Sequence, residues 1–183
     1  MSGPATAPIA NAPIIVTARI GAADLAWADG LRRAHYPAAR NQLPAHLTLF
    51  RHLPPSALDT LRRLLAAEAR AAPPPARVAR LISLGQGVAL GIDSPGLAAI
   101  RATIAEAMRG QLMPQDSAAW RPHITIQNKV SAATARALLD MLGADFRPRP
   151  ILLTGLAAWW YRDGPWEPIA AWAFSRAGPS RRS

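Results

Sequence analysis

The 183-residue chain is half hydrophobic, contains no cysteine and carries a formal net charge of +10, with Lys129 its only lysine. That length suits one compact domain, or two small lobes sharing a core. The absence of cysteine excludes disulfides, thiol catalysis and cysteine-ligated metals, and no apolar run approaches the roughly 20 residues of a bilayer span.

Residues 1–12 are small and rich in proline and alanine. They lack the basic start and long apolar centre of a secretory signal and read as a flexible arm, while the lack of cysteine leads to the expectation of a cytoplasmic chain. Pro13 to Ile20, rich in β-branched residues, predicts a strand, and Ala22 to His35 a helix with Leu25, Ala28 and Leu31 inward. A loop runs from Tyr36 to Pro44, and a second strand from Ala45 to Leu53. Pro54-Pro55-Ser56 opens a helix with Ser56 as N-cap and Leu58, Leu61, Leu64 and Leu65 as its buried stripe; Pro73-Pro74-Pro75 ends it.

Val78 to Leu84 and Val88 to Ile92 read as a hairpin around Gly85-Gln86-Gly87. Ser94-Pro95 then starts a helix to about Arg109 on Leu97, Ile100, Ile104 and Met108. A loop carries Met113 to Trp120, and Arg121 to Val130 forms the next strand. Ser131 caps a helix with Leu138, Leu139 and Leu142 inward, stopped by Gly143. Strands Ile151 to Tyr161 and Trp166 to Phe174 flank the turn Asp163-Gly164-Pro165, and residues 175–183 form a basic flexible tail. A strand followed by a helix thus recurs in both halves. The expectation is an α+β protein of two pseudo-symmetric lobes over residues 13–174. Each lobe would hold mostly antiparallel sheet with outer helices, and a central cleft would lie between them.

Two segments are near copies: His46-Leu47-Thr48-Leu49 and His123-Ile124-Thr125-Ile126. In a strand, side chains alternate between faces, so each copy sets an imidazole and a hydroxyl on one face above an apolar anchor. Two imidazoles facing one site can serve as acid and base in one turnover, and hydroxyls can hold phosphate oxygens. Neither histidine has a carboxylate in its motif, as a metal site would usually recruit. No triphosphate-cradling glycine loop is present either. The chemistry that remains is metal-free, cofactor-free acid–base catalysis at phosphorus. Arginine suits phosphate through its planar fork. Heavy arginine and alanine usage also follows from a GC-rich genome, so charge permits a nucleic-acid substrate without establishing one.

These paired motifs, within Ala45-His46-Leu47-Thr48-Leu49-Phe50 and Arg121-Pro122-His123-Ile124-Thr125-Ile126, resemble the two-histidine phosphoesterase superfamily of the 2′-5′ RNA ligase and RNA cyclic phosphodiesterase type. The resemblance spans the chain from the first strand to about Phe174. It implies a bilobal fold with one motif per lobe and hydrolysis of a cyclic phosphodiester, most typically an RNA-terminal 2′,3′-cyclic phosphate. His46 and His123 would be the acid–base pair, and Thr48 and Thr125 would hold the nonbridging oxygens. A 2′-phosphate product and weak reverse ligation of RNA are implied too. The alternatives are a small substrate, such as a cyclic phosphate of an ADP-ribose derivative, and a noncatalytic RNA-end binding module. In either case a monomer without membrane attachment is expected.

Many members carry a basic residue shortly after the second motif; here Gln127, Asn128 and Lys129 follow. Strict alternation would put Gln127 and Lys129 on the catalytic face, and likewise Phe50 and His52 with His46 and Thr48, leaving Arg51 off it. Phe50 becomes a candidate for base stacking or core packing, and His52, next to Pro54-Pro55, an exposed strand end. His35 and Tyr36 are expected at the surface or the cleft rim. Among the C-terminal aromatics, Trp160 and Tyr161 are the stacking candidates.

Overall fold

The computed structural model describes residues 12–175. The expected arm and basic tail lie, apart from residues 12 and 175, outside the described residues. The elements in chain order are β1 (Ile14–Ile20), α1 (Ala22–His35), β2 (Leu47–Leu53), α2 (Leu58–Glu68), β3 (Arg77–Ser83) and β4 (Val88–Asp93). They continue with α3 (Pro95–Ala107), the single-turn α4 (Pro114–Ser117), β5 (His123–Gln127), α5 (Ala132–Asp145), β6 (Arg149–Pro150), β7 (Leu153–Trp160) and β8 (Glu167–Ala173).

The strands form two four-stranded antiparallel sheets, ordered β2-β1-β7-β8 and β5-β4-β3-β6. The α+β expectation therefore holds. The two motif strands, β2 and β5, are each the terminal strand of a sheet, and they touch one another. Helix α1, which leaves β1, crosses to pack on β5 of the other sheet, and α5 covers β3 and β4. Among the described residues, no helix is long and apolar enough to cross a membrane.

One apolar cluster runs through both sheets. It joins Leu47, Phe50 and Leu53 of β2 to Leu90 and Ile92 of β4 and to Ile124 and Ile126 of β5. Each such side chain, fully withdrawn from water, contributes about 2 kcal/mol. The helical stripes match the periodicity: Leu61 and Leu65 of α2, and Leu97, Ile100, Ile104 and Met108 from α3 onward, are buried. The Ser94 side chain caps α3 and Ser131 caps α5. Ser56 does not cap α2; it lies inside a 3-10 turn (Pro55–Ala57) that the prolines start and that feeds the helix directly. Gly143 does not end α5, which continues to Asp145, because the glycine sits on the open helix surface with nothing near it. The short β6 escaped the sequence reading. It is two residues at a sheet edge, one a proline, which an edge strand tolerates.

Both motif strands depart from strict alternation at the same place. Thr48 pairs with Thr17, but the next paired residue, Phe50, faces Val16, so Leu49 is an extra residue on β2. Thr125 pairs with Ala89 and Gln127 with Val88, so Ile126 is an extra residue on β5. An inserted residue of this kind bends the strand and reverses which face later side chains take. Gly87 admits the second insertion, because a Cβ there would sit 2.0 Å from the Gln127 carbonyl oxygen.

Candidate active site

The cleft between the sheets has a volume of about 830 Å³, and His46, Thr48, His123 and Thr125 all line it. The repeated segments thus converge on one space. Each histidine is held in the same way: His46 Nδ1 lies 2.8 Å from the Pro44 carbonyl oxygen and His123 Nδ1 lies 2.6 Å from that of Arg121. A carbonyl only accepts, so each Nδ1 is the protonated nitrogen that donates. The Nε2 of each ring is left free to take or give a proton.

The ring of Trp166 lies against His46, with centroids 4.7 Å apart and planes tilted by 58°, and Trp159 stands behind Trp166 at 6.3 Å. Burial pushes the His46 pKa below that of an ordinary histidine. The positive charges of Arg32, His123 and Arg51 push it the same way, and the bond to Pro44 partly opposes them. These influences favour the neutral form of His46.

The extra residues decide what else reaches the cleft. Phe50 does not: the insertion at Leu49 turns its ring into the core, where it is fully buried. Gln127 does not either; it is turned inward by the insertion at Ile126, and its Oε1 has no partner among the described residues. Lys129 sits beyond the strand with a left-handed backbone (φ 63°), exposed and away from the cleft wall. The residues one step further along take the cleft face instead, namely Arg51 on β2 and Asn128 after β5. His52 is also in the cleft wall, within β2 and half-buried, contrary to the exposed strand end expected. Tyr161 lines the cleft at 39% exposure, whereas Trp160 packs in the core because its strand position points inward. Tyr36 joins the wall.

The free edge of β2 is partnered by side chains rather than by a strand. The Trp120 indole donates to the Thr48 carbonyl (3.1 Å), and Arg101 Nε donates to that of Leu49 (2.9 Å). The buried Asp116 carboxylate accepts from the backbone N–H groups of Arg51 and His52, both at 2.9 Å. The Arg101 guanidinium also donates to the Asp116 carbonyl and lies over the rings of Phe50 and Trp120. From the opposite lobe, Arg32 of α1 donates to the Thr125 carbonyl at 2.7 Å. Each lobe thus sends one arginine to the other's motif strand. Burial lowers the pKa of both guanidinium groups, which remain charged at any physiological pH. None of Arg32, Arg101, Asp116, Trp120 and Trp166 stood out in the sequence. Each sits far along the chain from the strand or ring it serves.

The wall carries five arginines (Arg32, Arg40, Arg51, Arg101 and Arg121) against two aspartates, so the cleft is electropositive. Among the described residues no group of three or more histidines, aspartates and glutamates is placed to hold a metal ion.

A family model, that of the 2′-5′ RNA ligase superfamily, matches residues 21–165. The chain belongs to the 2′-5′ RNA ligase superfamily. Its fold is also similar to that of several solved proteins. Escherichia coli LigT in complex with 3′-AMP aligns with a TM-score of 0.62 at 19% identity, over 91% of this chain and 99% of LigT. TT0787 of Thermus thermophilus aligns at 0.63 and 16% identity, over 91% of this chain and 100% of its own. A protein described as a phosphoesterase aligns at 0.58 and 17% identity, over 91% and 99%. At these identities the likeness is one of fold. No curated protein sequence matches the chain.

Proposed function

We propose that this 2′-5′ RNA ligase superfamily protein hydrolyses a cyclic phosphodiester, the 2′,3′-cyclic phosphate at an RNA end, through His46 and His123. The observation that carries this reading is the matched pair of imidazoles, each with Nδ1 tied to a backbone carbonyl and Nε2 left free in one electropositive cleft. A base and an acid on opposite lobes suit an in-line displacement, in which water enters at phosphorus opposite the departing ribose oxygen.

His46, its pKa lowered mainly by burial, is assigned as the base. Its Nε2 takes a proton from water as the water oxygen bonds to phosphorus. The bond from phosphorus to one ribose oxygen breaks, and His123 Nε2 protonates that oxygen. The product is a phosphomonoester, and proton exchange with solvent restores both rings. The Thr48 and Thr125 hydroxyls donate to the nonbridging oxygens, where negative charge resides throughout. With an RNA hydroxyl in place of water as the nucleophile, the same steps join it to phosphorus as one ribose oxygen of the cyclic phosphate departs, which is ligation. The protein acts as a cytoplasmic monomer in this reading.

A mononucleotide-sized substrate is the second reading. A cleft of about 830 Å³ lies within the range of pockets that enclose a small ligand, and the similarly folded LigT has been solved with 3′-AMP. A screen separates the two: RNA ending in a 2′,3′-cyclic phosphate, 2′,3′-cyclic AMP and a cyclic phosphate of ADP-ribose, with products followed by phosphorus NMR. The RNA reading requires the largest kcat/KM for the RNA end. Preference for a small cyclic phosphate selects the second reading, and turnover of none of them refutes both.

A further inference from the structure

Arg32 is a cation that the protein itself does not neutralise. It is 4% exposed and belongs to the cleft wall. Its Nε and Nη2 donate to Asn41 Oδ1, at 3.2 and 2.9 Å, and Nη1 donates to the Thr125 carbonyl. Tyr36 lies under the guanidinium, 4.3 Å from its ring centroid. These partners are neutral. Ion pairs among the described residues join Arg77 to Asp93, Arg109 to Glu106, Arg149 to Asp24 and Arg162 to Glu167, and none includes Arg32. Asp29, the nearest acidic influence, spends an oxygen on the Ala45 backbone N–H just before the first motif.

A buried guanidinium without a carboxylate is costly unless an anion completes it. Five N–H groups are available and three are used, so two remain. The position is also central. Arg32 is bonded to the backbone of Thr125 in the second motif, while its charge acts on His46 in the first. Arg101 is its counterpart from the other lobe, where it donates to the Leu49 and Asp116 carbonyls and lies over the Phe50 and Trp120 rings. Gln127 and Lys129, the residues nearest the second motif that alternation would have brought in, are turned away.

We propose that Arg32 is the fixed phosphate-binding cation of this cleft, its two free N–H groups completed by the nonbridging oxygens of the substrate's phosphoryl group. The proposal rests on the phosphodiester reading and adds a specific ligand to it. Arg32 ties together the lobe that holds His46 and the strand that holds Thr125, so anion binding there also fixes the two motifs relative to each other. Asn41 fixes the guanidinium through two of its donors, and a guanidinium can meet a phosphoryl group with two parallel bonds.

The test is binding of inorganic phosphate, which needs no turnover. In the wild-type full-length protein, the Arg32 guanidinium nitrogen resonances, identified by their loss in Arg32→Lys, should move with saturating phosphate. Arg32→Gln should weaken phosphate binding tenfold or more by calorimetry. It should also raise the titration midpoint of the His46 ring followed by NMR, since one of the charges beside it is gone. A wild-type Arg32 signal unmoved by saturating phosphate would overturn the proposal, and it can be read even if Arg32→Gln does not fold. A folded Arg32→Gln that binds phosphate like the wild type would overturn it too. Should the wild type turn over no cyclic phosphate yet move its Arg32 signal, the hydrolytic reading falls and the anion site stands.

Discussion

Leu49 and Ile126 hold the same place in two equivalent strands: each is the extra residue directly after a cleft-facing threonine, and each shifts the register with the neighbouring strand. The consequence is the same in both lobes. Phe50 and Gln127 turn into the interior, and Arg51 and Asn128 come round to the cleft. The protein therefore has matching motifs and unmatched flanks, a cation on one side and an amide on the other.

The edge of β2 depends on a single carboxylate. Asp116 accepts from two successive backbone N–H groups that no strand partners. Replacing it with alanine leaves both donors unpaired in a part-buried place, at up to about 1–3 kcal/mol each. Asp116→Ala should lower the melting temperature by roughly 5–10 °C, on the scale expected for a chain of this length. It should also lower kcat, because Arg51 and His52 lose their positions. Thermal denaturation and steady-state rates check both, and an unchanged melting temperature would show that the clamp is not needed.

The threonines should act on bound charge rather than on the proton transfers. A hydrogen bond to a charged group is worth about 1.5–3 kcal/mol. Thr48→Ala and Thr125→Ala should therefore each lower kcat/KM about ten- to a hundredfold, with the pH profile keeping its shape. A loss as large as that from removing a histidine would assign the hydroxyls a different role.

The pH dependence has a defined sign. Burial, with the charges of Arg32, His123 and Arg51, holds the His46 pKa below the usual value of about 6.5. The base form thus persists as pH falls through 6.5, and the acid limb of kcat/KM should lie below that value. Trp166→Ala removes the ring that covers His46 and should move the limb upward. In the same window the unfolded chain binds more protons at this position than the folded one. His46 therefore withdraws stability as pH drops from 6.5 toward its folded pKa. An acid limb above 6.5 in the wild type would contradict the assignment of His46 as base.

Much of this was legible in the sequence, and the misses share a cause. The motifs, the order of elements and the stripes of α2 and α3 follow from short-range periodicity, which reports the face each residue takes while a strand or helix stays regular. The cleft positions that alternation gave Gln127 and Lys129, and the stacking alternative for Phe50, fail because a register shift directly after each motif threonine reverses that face, and nothing local marks Leu49 or Ile126 as extra. Trp160 was a stacking candidate and packs in the core instead, since period-2 reasoning cannot say which face of β7 meets the core. Arg32, Arg101 and Asp116 were invisible for another reason. They act on strands of the opposite lobe, through contacts that exist only once α1, α3 and α4 are docked.

The central claim is that two histidines, one from each lobe, carry out acid–base catalysis at a phosphodiester. Its most direct test is phosphorus NMR of an RNA ending in a 2′,3′-cyclic phosphate, incubated with the wild type, His46→Ala or His123→Ala. The wild type should convert the cyclic signal to a phosphomonoester. Each variant, folded by circular dichroism, should be slower by about 10²–10⁴-fold. Either variant turning over at the wild-type rate would contradict the two-histidine mechanism.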